Sequence, residues 1–149
     1  MSAKRKSQAE LLGEVINKNV VTVSPTAAIS EAAYLMMNED VGALVVVDTD
    51  MRPVGMLTDR DLVVSAMAEG VSPDEATVEQ LMTKDLITVD EDTDIFEMLS
   101  ILSENSIRRL PVVRGGKLKG IVSVDDLIVV VATELVNLAM ALSSKSKVL

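Results

Sequence analysis

Along this chain the spacing of apolar positions changes in a fixed order, and the order occurs twice. Val20–Val23 is a short apolar run closed by the polar turn Ser24-Pro25-Thr26, the pattern of a strand ended by a breaker. Ile29, Ala32, Ala33, Met36 and Met37 then recur at helical spacing. Ala43–Val47 and Val54–Thr58 read as two strands around Asp48-Thr49-Asp50, and a further helix starts near Asp59. After a linker over 69–77, where Gly70 and Ser72-Pro73-Asp74 supply turn chemistry, the order returns. It runs through the strand Leu86–Val89, the turn Asp90-Glu91-Asp92, and a helix carrying Ile95, Met98, Leu99 and Leu102. The strands Leu110–Val113 and Leu118–Ser123 follow around Gly115-Gly116, a hairpin signal, and a last helix opens near Val124.

The two halves align residue by residue. At an offset of 66, Lys18, Thr22, Val23, Ile29, Glu31, Leu44, Val46 and Val47 meet identical residues. One residue fewer in the second hairpin shifts the offset to 65, and Gly55, Asp61, Leu62 and Val64 then match Gly120, Asp126, Leu127 and Val129. Such a register marks an internal duplication. A copy of this size buries too little apolar surface to stand alone. The expected fold is therefore α/β (α+β): two tandem β-α-β-β-α repeats packed sheet to sheet with pseudo-two-fold symmetry and matching clefts. The expected boundaries are 12–68 and 78–142, the second with an extended C-terminal helix, and 1–11 and 143–149 are expected to be flexible tails.

Composition narrows the chemistry. Nearly half the residues are apolar, yet Tyr34 and Phe96 are the only aromatics, so the core must be aliphatic. Met36, Met37 and Met98 read as core fillers rather than as a soft ligand surface. The absence of Cys and His removes disulfides, thiolate metal sites, the commonest general base and the commonest zinc ligand. No metal site is expected.

Net charge is −9, and five of the 14 basic residues (Lys4, Arg5, Lys6, Lys145, Lys147) lie at the ends, leaving nine against 23 acids in between. Such a body repels nucleic acid and anionic membrane, so neither is an expected partner. The Lys4-Arg5-Lys6 cluster reads as a solubilising terminus. No apolar run of signal-peptide type follows it. Leu127–Leu142 is apolar but broken by Thr133, Glu134 and Asn137, and reads as a buried helix too short to span a bilayer. A cytoplasmic protein is expected.

One constellation could carry chemistry. It reads Gly55-Met56-Leu57-Thr58-Asp59-Arg60-Asp61 in the first copy and Gly120-Ile121-Val122-Ser123-Val124-Asp125-Asp126 in the second. A hydroxyl residue followed three places later by an acid is a helix capping box. The same geometry suits a nucleoside: helix N–H groups for an anion, an acid for ribose hydroxyls, and a strand glycine that lets a flat group approach. Capping and binding can coexist. Arg60 and the pair Arg108-Arg109 are the candidate phosphate-facing cations, although Asp125 stands where the first copy has Arg60. Paired acids such as Asp59/Asp61 or Asp125/Asp126 could hold Mg²⁺ for phosphoester hydrolysis. No His, Cys or phosphate loop accompanies them, so no catalytic residue is expected.

These residues resemble the cystathionine-beta-synthase (CBS) domain, and the chain is similar to a CBS pair, or Bateman module, over residues 12–142. The resemblance is carried by Val20-Val21-Thr22-Val23-Ser24-Pro25, Gly42-Ala43-Leu44-Val45-Val46-Val47-Asp48, Gly55 to Leu62, and Arg108-Arg109-Leu110-Pro111-Val112-Val113. It implies homodimers joined through helices, with Leu127–Leu142 suited to the interface. It also implies an adenosyl ligand (AMP, ADP, ATP, NAD or S-adenosylmethionine) in the cleft between repeats, with AMP or ADP preferred and no cofactor required. Thr58 and Asp61 would hold one ribose, Ser123 and Asp126 the other, and Arg108 and Arg109 would face phosphates. Adenine would lie against Val20–Thr22 or Leu86–Thr88, edged by Ala43–Val45 or Arg109–Pro111. The reading is a regulatory ligand-sensing module acting on an unidentified protein, the alternative being a ligand-free dimeric interaction module.

Overall fold

The computed structural model describes residues 6–145. Lys4, Arg5 and Lys147, and the outer parts of both expected tails, lie outside the described residues. The elements run α1 (Gln8–Val15), β1 (Thr22–Val23), α2 (Ile29–Glu39), β2 (Ala43–Val47), β3 (Pro53–Thr58), α3 (Asp59–Leu62), a π-helical segment (Val63–Ala68), α4 (Val78–Leu81), β4 (Val89–Asp90), α5 (Ile95–Glu104), β5 (Arg109–Arg114), β6 (Lys117–Ser123) and α6 (Val124–Lys145). Two three-stranded sheets result, ordered β1-β2-β3 and β4-β5-β6. The duplicated strand–helix–strand–strand–helix order and the mixed α/β class are as the apolar spacing predicts.

Local chemistry explains the ends of these elements. The Asp94 carboxylate caps α5 by accepting the Phe96 N–H at 2.7 Å, and Glu31 reaches back to the Ala28 N–H at the start of α2. Gly115 and Gly116 both take positive φ, as a mirror-image two-residue hairpin turn requires. In the first hairpin the Asp48 carboxylate accepts the N–H groups of Asp50 and Arg52, each at 2.9 Å.

The chain divides into two compact units. One comprises Asn17–Glu91 and Pro111–Ile121, the other the described residues of Met1–Ile16, Asp92–Leu110 and Val122–Leu149. In the first unit β1 runs parallel to β2, and β2 antiparallel to β3. Strand alternation sends Val23, Leu44, Val46 and Leu57 to one face, where they bury against Ala32 and Met36 of α2 and Val78 of α4. The opposite face carries Thr22, Ala43, Val45, Met56 and Thr58, which are cross-strand partners. In the second unit α6 lies against α1 and α5, and Leu12, Ile95, Met98, Leu102, Leu110, Val122 and Leu127 are buried.

The stretch read as a linker is tied down. The Ile29 and Ser30 N–H groups at the start of α2 donate to the carbonyls of Ala76 and Pro73, both at 3.0 Å, and the Val78 N–H returns to Ala27 at 2.9 Å. Ala76 is itself buried.

Several expectations are corrected. The helix containing Leu127–Leu142 is not buried. It spans 22 residues, and beyond Leu127 seven of its large apolar side chains (Ile128, Val129, Leu135, Val136, Leu138, Met140 and Leu142) are more than half exposed, from Ile128 at 55% to Met140 at 67%, while Val130 and Val131 are half-buried. By length and composition alone it is long and apolar enough to cross a membrane. The hydropathy pattern registers apolar residues without saying whether anything packs on them. Met37 is also exposed, unlike Met36 and Met98, because the face of α2 that packs on the sheet is formed by Ala32, Leu35 and Met36. The first strand of each copy is shorter than its apolar run, so Val20, Leu86 and Thr88 precede their strands. α1 begins at Gln8, inside the stretch read as a tail. There Lys6 is paired with Glu14, and that hydrogen bond holds the ammonium charged above the usual lysine range.

Candidate functional site

Thr58 ends β3 and caps α3, its backbone still extended. Its hydroxyl accepts the Asp61 N–H at 3.2 Å, while the Asp61 carboxylate accepts the Thr58 N–H at 2.9 Å. The capping box is therefore complete and both partners are half-buried. In the second copy the Ser123 hydroxyl accepts the Asp126 N–H at 3.1 Å. The Asp126 carboxylate is exposed and has no hydrogen-bond partner among the described residues. This second box is half-made, leaving free acceptors at the start of a long helix.

Each junction is braced by the residue that leads into the neighbouring strand of its hairpin, β2 or β5. The Asp59 N–H donates to the Gly42 carbonyl and the Val124 N–H to the Arg108 carbonyl, both at 2.9 Å. Gly42 and Arg108 thus occupy equivalent places, as the repeat alignment requires. A Cβ at Gly42 would sit 3.0 Å from the Asp59 carboxylate, a contact that its copy-two counterpart avoids because Val124 replaces the acid. Sequence reasoning missed this role of Gly42; the signal was its alignment with Arg108.

The electrostatics of the copies differ. Arg60 is exposed, and its guanidinium has no ion pair among the described residues. Arg108 pairs with Asp125 at 3.6 Å, with both side chains about three-quarters exposed (72% and 75%). A pair so exposed is worth about 0–1 kcal/mol, yet it neutralises the cation beside Ser123. Arg109 opens β5 and is exposed.

Thr22, Ala43, Val45 and Thr58 lie on one sheet face, with Val20 just before it and Arg60 and Asp61 at its end. The structure brings these first-copy residues together in one unit. Arg108, Arg109, Ser123 and Asp126 gather in the other unit, whereas Leu86, Thr88 and Pro111 belong to the first. Val45 and Pro111 have buried side chains, so what they can offer a ligand is main chain. The space over Gly55, expected to admit a flat ligand, is filled: a Cβ there would meet Met82 Sδ at 2.5 Å and the Thr83 carbonyl at 2.9 Å. Gly55 is small so that another stretch of backbone can approach.

A separate open groove of about 590 Å³ is lined by Val23, Ala27, Ser30, Glu31, Tyr34 and Leu35, none of them a candidate ligand-binding residue in the sequence reading. Among the described residues no three acidic side chains converge in a way that could hold a metal ion.

Comparison with known proteins places this geometry. A profile of the CBS domain matches residues 12–67 and again 78–133. An uncharacterized protein of Methanopyrus kandleri is 39% identical over 118 residues, which are 78% of this chain and 60% of that protein. The chain therefore spans less than two thirds of that relative's length. Hypoxic response protein 1 of Mycobacterium tuberculosis is 37% identical over 114 residues, 76% of this chain and 80% of that one. The crystal structure of Hypoxic Response Protein I with two coordinated zinc ions matches with a TM-score of 0.70 at 36% identity, covering 77% and 93% of the two chains. A structure of CBSX2 in complex with AMP matches with a TM-score of 0.68 at 25% identity, covering 82% and 96%.

Proposed function

The chain belongs to the CBS-domain family as a tandem regulatory module, and we propose that this module binds an adenosyl ligand at the hydroxyl–acid caps of its repeats. The observation that carries the reading is the recurrence of one arrangement at equivalent strand-to-helix junctions. Thr58 with Asp61 and Ser123 with Asp126 each set a hydroxyl and a carboxylate beside helix N–H groups. A ribose offers two hydroxyls to such a carboxylate, and helix N–H groups favour an anion. The likeness to a chain solved with AMP supports the adenosyl choice.

Val20, Thr22, Ala43 and the main chain of Val45 would edge the base in the first copy, and Leu86, Thr88, Arg109 and Pro111 are their counterparts in the second. AMP or ADP suits the site better than a triphosphate, because few cations stand against a strongly acidic body. NAD and S-adenosylmethionine carry the same adenosyl group. No catalytic step is assigned. The protein is read as cytoplasmic and dimeric, passing ligand occupancy to another protein.

The test is calorimetry and thermal melting of the protein with AMP, ADP, ATP, NAD and S-adenosylmethionine, beside Asp61→Ala and Asp126→Ala. A ligand at 100 times its Kd adds about 2.7 kcal/mol to stability, read as a higher Tm that one Asp variant loses. No response to any of the five at millimolar concentration ends the nucleotide reading, and the caps are then purely structural.

A further inference from the structure

The groove of about 590 Å³ at the start of α2 lies apart from the hydroxyl–acid caps. Val23 points to the face of the sheet opposite Thr22, and with Ala27 and Leu35 it makes the apolar part of the lining. Ser30 and Tyr34, one turn apart on α2, and Glu31 make the rest. Tyr34 is 61% exposed and is the only tyrosine of the chain. Glu31 is exposed too, yet its position is set, because one carboxylate oxygen accepts the Ala28 N–H at 3.2 Å. No ion pair engages it among the described residues.

The repeat itself does not require this lining. In the second copy Phe96 and Ser100 hold the places of Ser30 and Tyr34, and Thr93 holds that of Ala27. The tyrosine is thus particular to the first copy and is not part of what makes a repeat fold.

Charge says what fits. Residues 72–79 are held against the start of α2: the Ser30 N–H donates to the Pro73 carbonyl at 3.0 Å, and the Glu79 N–H to the Pro25 carbonyl at 2.9 Å. They bring Asp74, Glu75 and Glu79, all exposed, to the end of α2 that carries Glu31. No Lys or Arg occurs between Lys18 and Arg52, nor between Arg60 and Lys84, so neither stretch that builds this corner supplies a cation of its own. An anionic occupant is repelled and a cation attracted. An aliphatic stem can pack on Val23 and Leu35 while its charged head reaches Glu31, and a guanidinium or ammonium is favoured over the Tyr34 ring.

A free amine fits less well. Small-molecule sites bury roughly 70–90% of their ligand, which a groove open to solvent does not. A protein segment closes the open side with its own body, and tyrosine is among the residue types that anchor such contacts.

We propose that this groove docks a segment of another protein in which an arginine or lysine stands among aliphatic side chains. The inference goes beyond the adenosyl reading: it rests on the groove alone and holds whether or not a nucleotide binds.

The test is fluorescence anisotropy of a short labelled peptide alternating leucine with arginine, titrated with the full chain in nucleotide-free buffer. Expected is saturable binding that Glu31→Gln and Tyr34→Ser each weaken by about threefold or more, the worth of one exposed ion pair or cation–π contact. Glutamine keeps an acceptor for the Ala28 N–H, and serine is what the second copy holds in place of Tyr34, so circular dichroism should stay unchanged for both. Glu104→Gln, which removes an exposed acid at the end of α5 in the other unit, should bind as the wild type does. Absence of saturable binding overturns the proposal, as does full-strength binding by Glu31→Gln or Tyr34→Ser. An equal loss in Glu104→Gln also overturns it, since the attraction would then belong to the whole acidic body. Undiminished binding of a peptide with serine in place of leucine does the same for the apolar lining. Because no nucleotide is present, each of these outcomes leaves the adenosyl reading standing.

Discussion

Asn17 and Ile121 exchange both of their backbone hydrogen bonds, at 2.9 and 3.0 Å, and Thr83 and Met56 do the same at 2.9 and 3.1 Å. The repeat offsets make these one contact seen twice: Thr83 is the counterpart of Asn17, and Ile121 of Met56. In each copy the segment before the first strand is paired with the hairpin of the other copy. A further bond, from the Leu118 N–H to the Met51 carbonyl at 2.9 Å, has no mirror image because Pro53, the counterpart of Leu118, lacks an N–H.

Neither copy should therefore fold by itself. Peptides covering 1–68 and 69–149, made separately, are expected to show little cooperative unfolding. Mixing them should restore a single transition by circular dichroism. A sharp melt from either peptide alone would refute the claim.

Gly55→Ala is expected to destabilise the protein by about 1–3 kcal/mol, the range for overpacking a filled site. The new methyl would press on the Thr83 carbonyl, which is fixed by the Met56 bridge. Gly13→Ala is the control. It lies within α1 with nothing near its missing Cβ, so urea titration should show a gain of about 0.5–1 kcal/mol.

Asp61 and Asp126 should part company in stability while agreeing in binding. Asp61→Ala removes the acceptor of the Thr58 N–H and is expected to lose about 0.5–2 kcal/mol. Asp126→Ala removes a carboxylate with no hydrogen bond and should lose less. If both carboxylates serve a ribose, each substitution nonetheless weakens nucleotide binding at its own copy, which calorimetry would resolve.

The copies should also differ in their attraction for phosphate. Asp125→Arg frees Arg108 and gives the second copy the cation that Arg60 supplies in the first. AMP affinity there should rise several-fold at low salt and fall back as ionic strength increases. Arg60→Asp should lower affinity at the first copy. No change in either variant would remove both arginines from the ligand reading.

Much of this was legible before any coordinates. Duplication, element order and the paired caps are short-range features: strand and helix periods, turn glycines and a hydroxyl three residues before an acid express themselves in the local backbone wherever the chain goes. Identities at offsets of 66 and 65 made the copies equivalent residue by residue, and the resemblance to the CBS domain followed from words spread across both.

What remained hidden depended on neighbours distant in sequence. Gly55 reads as room for a ligand until Met82 and Thr83 are found in that space. Met36 and Met37 look alike in a helical stripe, yet only the turn of α2 on its sheet decides that one is buried and the other exposed. Leu127 and Leu135 are equally apolar, but only the first meets packing partners. The pattern of apolar and polar residues was enough for the main strand and helix order and for its duplication, because those follow from local backbone preference and apolar period; it was not enough for where the first strands begin or for α1. Which apolar residues are covered, which glycine admits backbone rather than ligand, and which arginine is already paired came from tertiary packing, because burial and charge pairing depend on what the rest of the chain brings alongside.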